Sequence, residues 1–270
     1  MAPPEIPFNL RADAFAGTAR DYLRFRPPYP SALLDDLCRR AGVTGSGRLL
    51  DLGCGPGRVA LPLARRFRDV VAVDQEPEMI DVGREEAARL AVGNITWVVG
   101  RAEDVAEPAG SVELVTMGES FHRLDGPLIL GKIRGWLRPG GCVAVLGCRN
   151  VWGGTEPWQR VLNEVRHRWK RPRVAFGHPS APKPDERYLD VIARGGFDPI
   201  GHYEFAVPLT WSVESLIGNA YTTSILSRQA LGRTAAAFEA DLTRKMLAHE
   251  PSGRFVETTT FAYTLACRPG

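Results

Sequence analysis

An α/β fold built on a doubly wound, mostly parallel sheet is what this sequence predicts, and three observations predict it. Short apolar runs alternate with helical patterns from residue 48 to residue 147. A glycine-rich loop stands between the first of these runs and the helix after it. The next run closes on a carboxylate, Asp74. Strands alternating with helices favour right-handed crossovers, hence parallel pairing with helices on both faces.

Residues 1–10 are rich in proline and read as loosely ordered. Phe15, Ala19, Tyr22 and Leu23 recur at helical spacing until RFRPPYP stops the helix. Residues 31–41 read as a helix with Ser31 as N-cap and Leu33, Leu34 and Leu37 inward. The stretch 48–67, RLLDLGCGPGRVALPLARRF, is a buried strand, a tight loop and a helix carrying Val59, Leu61, Leu63, Ala64 and Phe67. Gly53, Gly55 and Gly57 lack a Cβ, so their loop can take positive φ and lie flat against a ligand. The helix is expected to aim free N–H groups and its positive dipole end back at the loop.

DVVAVD is a second strand ending at Asp74, 17 residues after Gly57, which leaves room for one helix and a return to the same sheet edge. The helix EPEMIDVGREEAARL follows, and Met79 in it faces either an adenine ring or the core. Residues 95–100 and 111–117 are the third and fourth strands, 128–136 a helix ending at an RPGG turn, and 142–147 the fifth strand. The alternation then lapses. Residues 149–184 hold three tryptophans and an amphipathic helix (Trp158, Val161, Leu162, Val165, Trp169). A helix over 186–197 and a strand over 199–209 restore order. A second excursion, 209–250, includes a helix with Leu231, Ala235, Phe238, Leu242 and Met246 on one face, and 255–267 is a closing strand.

Composition narrows the function. Lys plus Arg is 34 against 31 Asp plus Glu, a net charge of +3 that points to no polyanionic partner. Cysteines 38, 54, 142, 148 and 267 are odd in number and form no C-x-x-C pair. Structural disulfides and metal sites are therefore not expected, and a reducing cytoplasm is. The N-terminus lacks a basic and apolar leader, and no long apolar run follows, so neither secretion nor a membrane partner is expected.

The glycine spacing selects the ligand. A dinucleotide loop needs G-x-G-x-x-G, whereas here the glycines fall at 53, 55 and 57, Arg58 follows, and Asp51 precedes the first by two. DLGCGPG resembles the first motif of the class I S-adenosylmethionine-dependent methyltransferases, an acidic residue followed by x-G-x-G-x-G. That resemblance implies a Rossmann-like seven-stranded sheet with the last strand antiparallel and helical cap insertions. It divides the chain into a core with an N-terminal lid helix (1–148), a cap over the acceptor site (149–184 and 209–250), and the remaining core strands and helix (185–208 and 251–270). Its motifs cover residues 15–146.

For the cofactor, the resemblance implies Asp51, Gly53, Cys54, Gly55 and Gly57 in the loop, and Asp74 with Gln75 and Met79 around the ribose and adenine. A carboxylate at Asp74 can accept both ribose hydroxyls. Ala102, Glu103 and Asp104 match the small–acidic–Asp pattern that meets the adenine amino group. Gly118 and Glu119 close the fourth strand. A similar Tyr-x-x-x-Arg-Pro-x-Tyr-Pro segment folds over the cofactor in the family, making Tyr22, Arg26 and Tyr29 candidates for its carboxylate or for closing the site; they read equally as packing residues.

MGESFHRLD after the fourth strand resembles the loop of small-molecule methyltransferases, with Arg123 where a second histidine is common. His122 is the candidate general base, with Asp125 to hold its ring, or else a structural histidine. His178 and His202 are weaker candidates. The loop has no N-P-P-Y-like element and the chain no Pro-Cys pair, which argues against methylation of nucleic-acid bases. The run RHRWKRPR (166–173) is a possible grip for RNA, or else a solvated helix. The function expected is methyl transfer to an oxygen or nitrogen of a small-molecule acceptor in secondary-metabolite or antibiotic biosynthesis, by a monomer or homodimer. The alternatives are an RNA or protein methyltransferase and a non-catalytic cofactor-binding protein.

Overall fold

The structure, a computed structural model, describes residues 15–170, 181 and 187–270. The proline-rich start, His178 and residues 171–173 of the basic run lie outside the described residues.

Seven strands form one mixed sheet: β1 (Arg48–Leu52), β2 (Asp69–Asp74), β3 (Ile95–Val99), β4 (Val112–Gly118), β5 (Leu137–Cys148), β6 (Asp198–Ser212) and β7 (Arg254–Cys267). Their order is β3-β2-β1-β4-β5-β7-β6. β1 pairs in parallel with β2 and β4, β2 with β3, and β4 with β5, while the last strands run antiparallel. The chain winds outward from β1 through β2 to β3, then returns to the centre at β4. The strand order therefore reverses between β1 and β4, where α/β sheets open a crevice at their carboxyl ends.

The chain divides into two compact units. One comprises 28–147, 177–205 and 261–270 and contains β1–β5 with α2 (Ser31–Arg40), α3 (Ala60–Leu63), α4 (Pro77–Arg89), α5 (Gly126–Trp136) and α7 (Tyr188–Arg194). One of its cores runs through Leu50, Leu52, Val115 and Met117 of the central strands to Ile129 and Ile133 of α5 and Ile192 of α7. The central strands β1 and β4 are buried almost throughout, as expected for strands covered on both faces.

The other unit comprises 1–27, 148–176 and 206–260. It holds α1 (Ala19–Phe25), α6 (Pro157–Trp169), α8 (Val213–Tyr221), α9 (Arg228–Leu231) and α10 (Ala235–His249). Its core gathers Trp158, Trp211, Tyr221, Phe238 and Phe255. The buried Glu257 accepts the Gln159 amide (2.6 Å) and the Trp211 indole N–H (2.7 Å), which satisfies both carboxylate oxygens away from water.

Four local expectations change. Pro30, extended at φ −60 and ψ 138, is the N-cap of α2; Ser31 is already helical. The helix after the glycine loop is only four residues long before it tightens into a 3-10 turn. Leu231 and Phe238 do not share one helix face, since Gly232 takes φ +52 and a 3-10 turn separates α9 from α10. Finally, a disulfide joins Cys142 on β5 to Cys267 on β7, against the expectation from cysteine spacing. These residues are 125 positions apart in sequence, and adjacent antiparallel strands make them neighbours. The compartment argument drawn from the cysteines falls with it.

Candidate functional site

Asp51 is the anchor of the glycine loop. It is 1% exposed and accepts the Thr116 hydroxyl at 2.7 Å and the Ala60 N–H at 3.1 Å, so it ties β1 to β4 and to the start of α3. Burial pushes its carboxyl up to about 7; those two hydrogen bonds act against the rise and the Asp74 charge adds to it. Thr116, a lone hydroxyl in an apolar strand, was not singled out from the sequence, and its polarity at a buried position was the available signal.

The loop itself runs through three left-handed residues, Gly53 (φ +67), Gly55 (φ +54) and Gly57 (φ +85). At Gly53 a side chain is excluded twice over. Besides its φ, a Cβ there would approach the Ser120 Cβ to 2.5 Å. Ser120 in turn donates to the Leu52 carbonyl at 2.7 Å, so the loop after β4 is bolted to the end of β1. Gly57 lies under the Trp97 ring, which a Cβ would meet at 2.6 Å.

Asp74 closes the loop from the far side. Its two oxygens accept the N–H groups of Gly55 (2.8 Å) and Glu76 (2.9 Å). Burial raises its pKa, opposed by those backbone donors and by the charge of Arg123. Gln75 beside it is exposed, and Met79 is buried with its sulfur facing Gly55.

The loop's N–H groups are spoken for. Gly53 and Cys54 donate to the Val73 carbonyl, Gly55 to Asp74, Gly57 to the Cys54 carbonyl and Ala60 to Asp51, and Pro56 has none. A pyrophosphate needs such donors. The expectation that the helix start would supply them is therefore corrected: α3 is short and its first N–H is used. What the loop offers a ligand is a flat, side-chain-free surface flanked by carboxylates, which fits a nucleoside bearing a cationic tail.

Beyond β3, Ala102–Asp104 form one 3-10 turn. Ala102 is buried, Glu103 accepts the Asp125 N–H at 3.1 Å, and Asp104 is exposed. Lys132 of α5 donates to the Glu103 (2.6 Å) and Val105 (3.2 Å) carbonyls, which fixes that turn.

After β4, Gly118 lies against Val59 and the Tyr29 hydroxyl: a Cβ there would be 2.9 Å and 3.4 Å from them. Glu119 holds φ +58, rare for a residue with a side chain and the kind of local strain found at functional loops. Its carboxylate lies over Gly147 at the end of β5. His122 is half-buried in a 3-10 turn, Phe121–Arg123. Asp125 caps α5 by accepting the Leu128 N–H at 3.2 Å. The structure thus brings Tyr29, Asp51, Gly53, Cys54, Gly55, Gly57, Asp74, Gly118, Glu119 and His122 into one unit, with Ser120 as the bolt. Tyr22 and Arg26 belong to the other unit, where Arg26 donates to Thr222 at 2.8 Å and stacks on Tyr22.

His202 is exposed on β6 and hydrogen-bonds Thr264 at 2.9 Å. Among the described residues no group of three His, Cys, Asp or Glu side chains gathers as a metal site would, and no helix is long and apolar enough to cross a membrane.

A sheet whose parallel strands reverse between β1 and β4, with a G-x-G-x-G loop at β1 and an acidic residue at the end of β2, is the arrangement expected of a class I S-adenosylmethionine-dependent methyltransferase. Comparison with known proteins agrees. A family model described as a methyltransferase domain matches residues 49–141. An uncharacterized methyltransferase of Mycobacterium tuberculosis is 33% identical over 155 residues, 56% of this chain and 58% of that protein, so the chain spans little more than half of that relative's length. Nocamycin O-methyltransferase of Saccharothrix syringae is 28% identical over 279 residues, 95% of each chain. A solved structure from Anaeromyxobacter dehalogenans shares the fold at TM-score 0.62 and 23% identity, covering 91% of this chain and 98% of that one. Residues 49–141 thus match a methyltransferase domain, and these similarities support a class I S-adenosylmethionine-dependent methyltransferase.

Proposed function

We propose that this enzyme methylates an oxygen of a small organic acceptor in a secondary-metabolite tailoring step, with nitrogen as the second choice of atom. The observation that carries this reading is similarity to nocamycin O-methyltransferase over 95% of both chains, excursions included. In this reading Asp74 takes the ribose hydroxyls, the 102–104 turn takes the adenine, and Gly118 and Glu119 flank the methionine end. Tyr22, Arg26 and Tyr29 close over it. Segments 149–184 and 209–250 select the acceptor, since they carry aromatic and apolar residues beyond what the sheet and its helices require.

Bound S-adenosylmethionine supplies a methyl group already activated on sulfur; its C–S bond breaks as the new C–O bond forms, leaving a neutral thioether. The protein's share is alignment, for which positioning alone can supply roughly 7–11 kcal/mol. His122 takes the hydroxyl proton, an effect of about 10²–10⁴ in rate. The RNA reading loses support at α6: Arg168 (2.7 Å) and Trp169 (2.9 Å) both bond Asp241, and Trp169 packs edge-on against Phe238. A cytoplasmic site of action rests on the cofactor alone, and mass spectrometry showing Cys142 and Cys267 joined in freshly isolated protein would count against it.

The test incubates the enzyme with methyl-labelled S-adenosylmethionine and separate panels of phenols, enols, carboxylic acids, amines, RNA and protein extract. Label in a small hydroxylated or carboxylated product supports the proposal. Transfer to RNA or protein alone, or to nothing while the cofactor binds tightly, refutes it.

A further inference from the structure

The crevice at the β1–β4 reversal has a cation that the sequence motifs did not include. Arg58 follows Gly57 directly, and its guanidinium lies over the face of Tyr29, 5.3 Å from the ring centroid. Tyr29 is 7% exposed, held edge-on by Phe261 at 5.8 Å, with its hydroxyl beside Gly118 at the end of β4. A guanidinium stacked on a buried ring keeps one plane and has few rotamers left to lose when it binds a ligand. Arg58 is therefore presented at the β4 side of the glycine loop, while Asp74 marks the β2 side. A nucleoside whose ribose lies at Asp74 and whose base lies toward β3 must extend its amino-acid tail toward β4, because the sheet order leaves that tail no other direction along the carboxyl ends of the strands.

The loop's own N–H groups are consumed within the protein, so they do not supply the positive partner that the tail's carboxylate needs. We propose that Arg58, oriented by Tyr29, binds the α-carboxylate of the cofactor and makes this site select for ligands that carry one. This rests on the placement of the ribose at Asp74.

Two ligands separate the carboxylate from everything else: S-adenosylhomocysteine, and its decarboxylated analogue with an aminopropyl chain, which keeps the adenosine, thioether and ammonium. Calorimetry on the full chain should show the wild type preferring the first. Arg58→Ala should weaken S-adenosylhomocysteine by about 10- to 100-fold, the range of a charge-assisted contact, and leave the analogue within about twofold. Arg58→Lys should fall between, and Arg58→Gln, which keeps the stem on Tyr29, should behave like alanine.

Equal weakening of both ligands would reduce Arg58 to a packing residue. No weakening, or a wild type indifferent to the carboxylate, would overturn the proposal, as would a carboxylate-selective loss in Arg26→Ala instead. Asp74→Ala run beside them tests the underlying placement separately: it should weaken both ligands alike, and failure there would indict the ribose assignment and not Arg58.

Discussion

Replacing Asp51 by asparagine should change how stability depends on pH while leaving the shape of the glycine loop in place. Asp51 is enclosed and its carboxyl is raised from 3.8 to about 7, chiefly by burial. Between those two values the folded chain retains a proton that the unfolded chain has released, so the folded state loses stability as pH rises through that window and the loss is complete above 7. Roughly three pH units at about 1.4 kcal/mol each make a penalty of about 4 kcal/mol at pH 8. Asparagine has no proton to lose. Its oxygen can still accept the Ala60 N–H, and the Thr116 hydroxyl can turn to accept from its amide. Urea unfolding of both proteins at pH 5, 6, 7 and 8 gives the difference curve, in which all other titrating groups cancel. The variant should gain on the wild type by about 3 kcal/mol between pH 5 and 8. A flat difference would mean that Asp51 titrates in the folded protein as it does unfolded, and the account of it as an enclosed carboxyl would fail.

Asp74→Ala should raise the calorimetric Kd for S-adenosylhomocysteine by roughly tenfold or more, because it removes a charged acceptor and leaves the Gly55 N–H without its partner; an unchanged Kd would move the ribose contact elsewhere. Gly53→Ala should lower Tm by several degrees, from roughly 1–2 kcal/mol of left-handed strain plus the encounter with Ser120. Adding Ser120→Gly should recover only the second part, and a single variant as stable as wild type would contradict the loop geometry. His122→Ala should cut turnover by about 10²–10⁴ with cofactor affinity unchanged if the acceptor is a hydroxyl. Equal rates for the variant and wild type from pH 6 to 9 would reject the base and favour an amine acceptor, whose neutral form attacks unaided.

Much of the site was legible because local chemistry wrote it. A glycine run between a strand and a helix has few folded outcomes, since three left-handed positions in five residues exclude any regular element. Asp74 could be placed because a strand that must return to the same edge of a parallel sheet ends where the first one does. Both inferences need only backbone stereochemistry and the period of apolar residues.

Other features depend on partners far away in sequence, and no local pattern reports them. Cys142 and Cys267 become neighbours only because β7 inserts beside β5. The Asp51–Thr116 and Ser120–Leu52 ties cross from β1 to β4, so the loop's rigidity is a property of strand pairing and not of the motif. Which N–H groups the loop retains for a ligand was likewise decided by Val73, Asp74 and Asp51 competing for them, and that competition, set by geometry, is what made the loop unlike a phosphate cradle. Sequence by itself determined the fold class, the loop and its acidic neighbours, because those follow from steric limits within a few residues. Tertiary structure alone decided which of those groups are already satisfied, because hydrogen-bond partners in a sheet are chosen by adjacency in space.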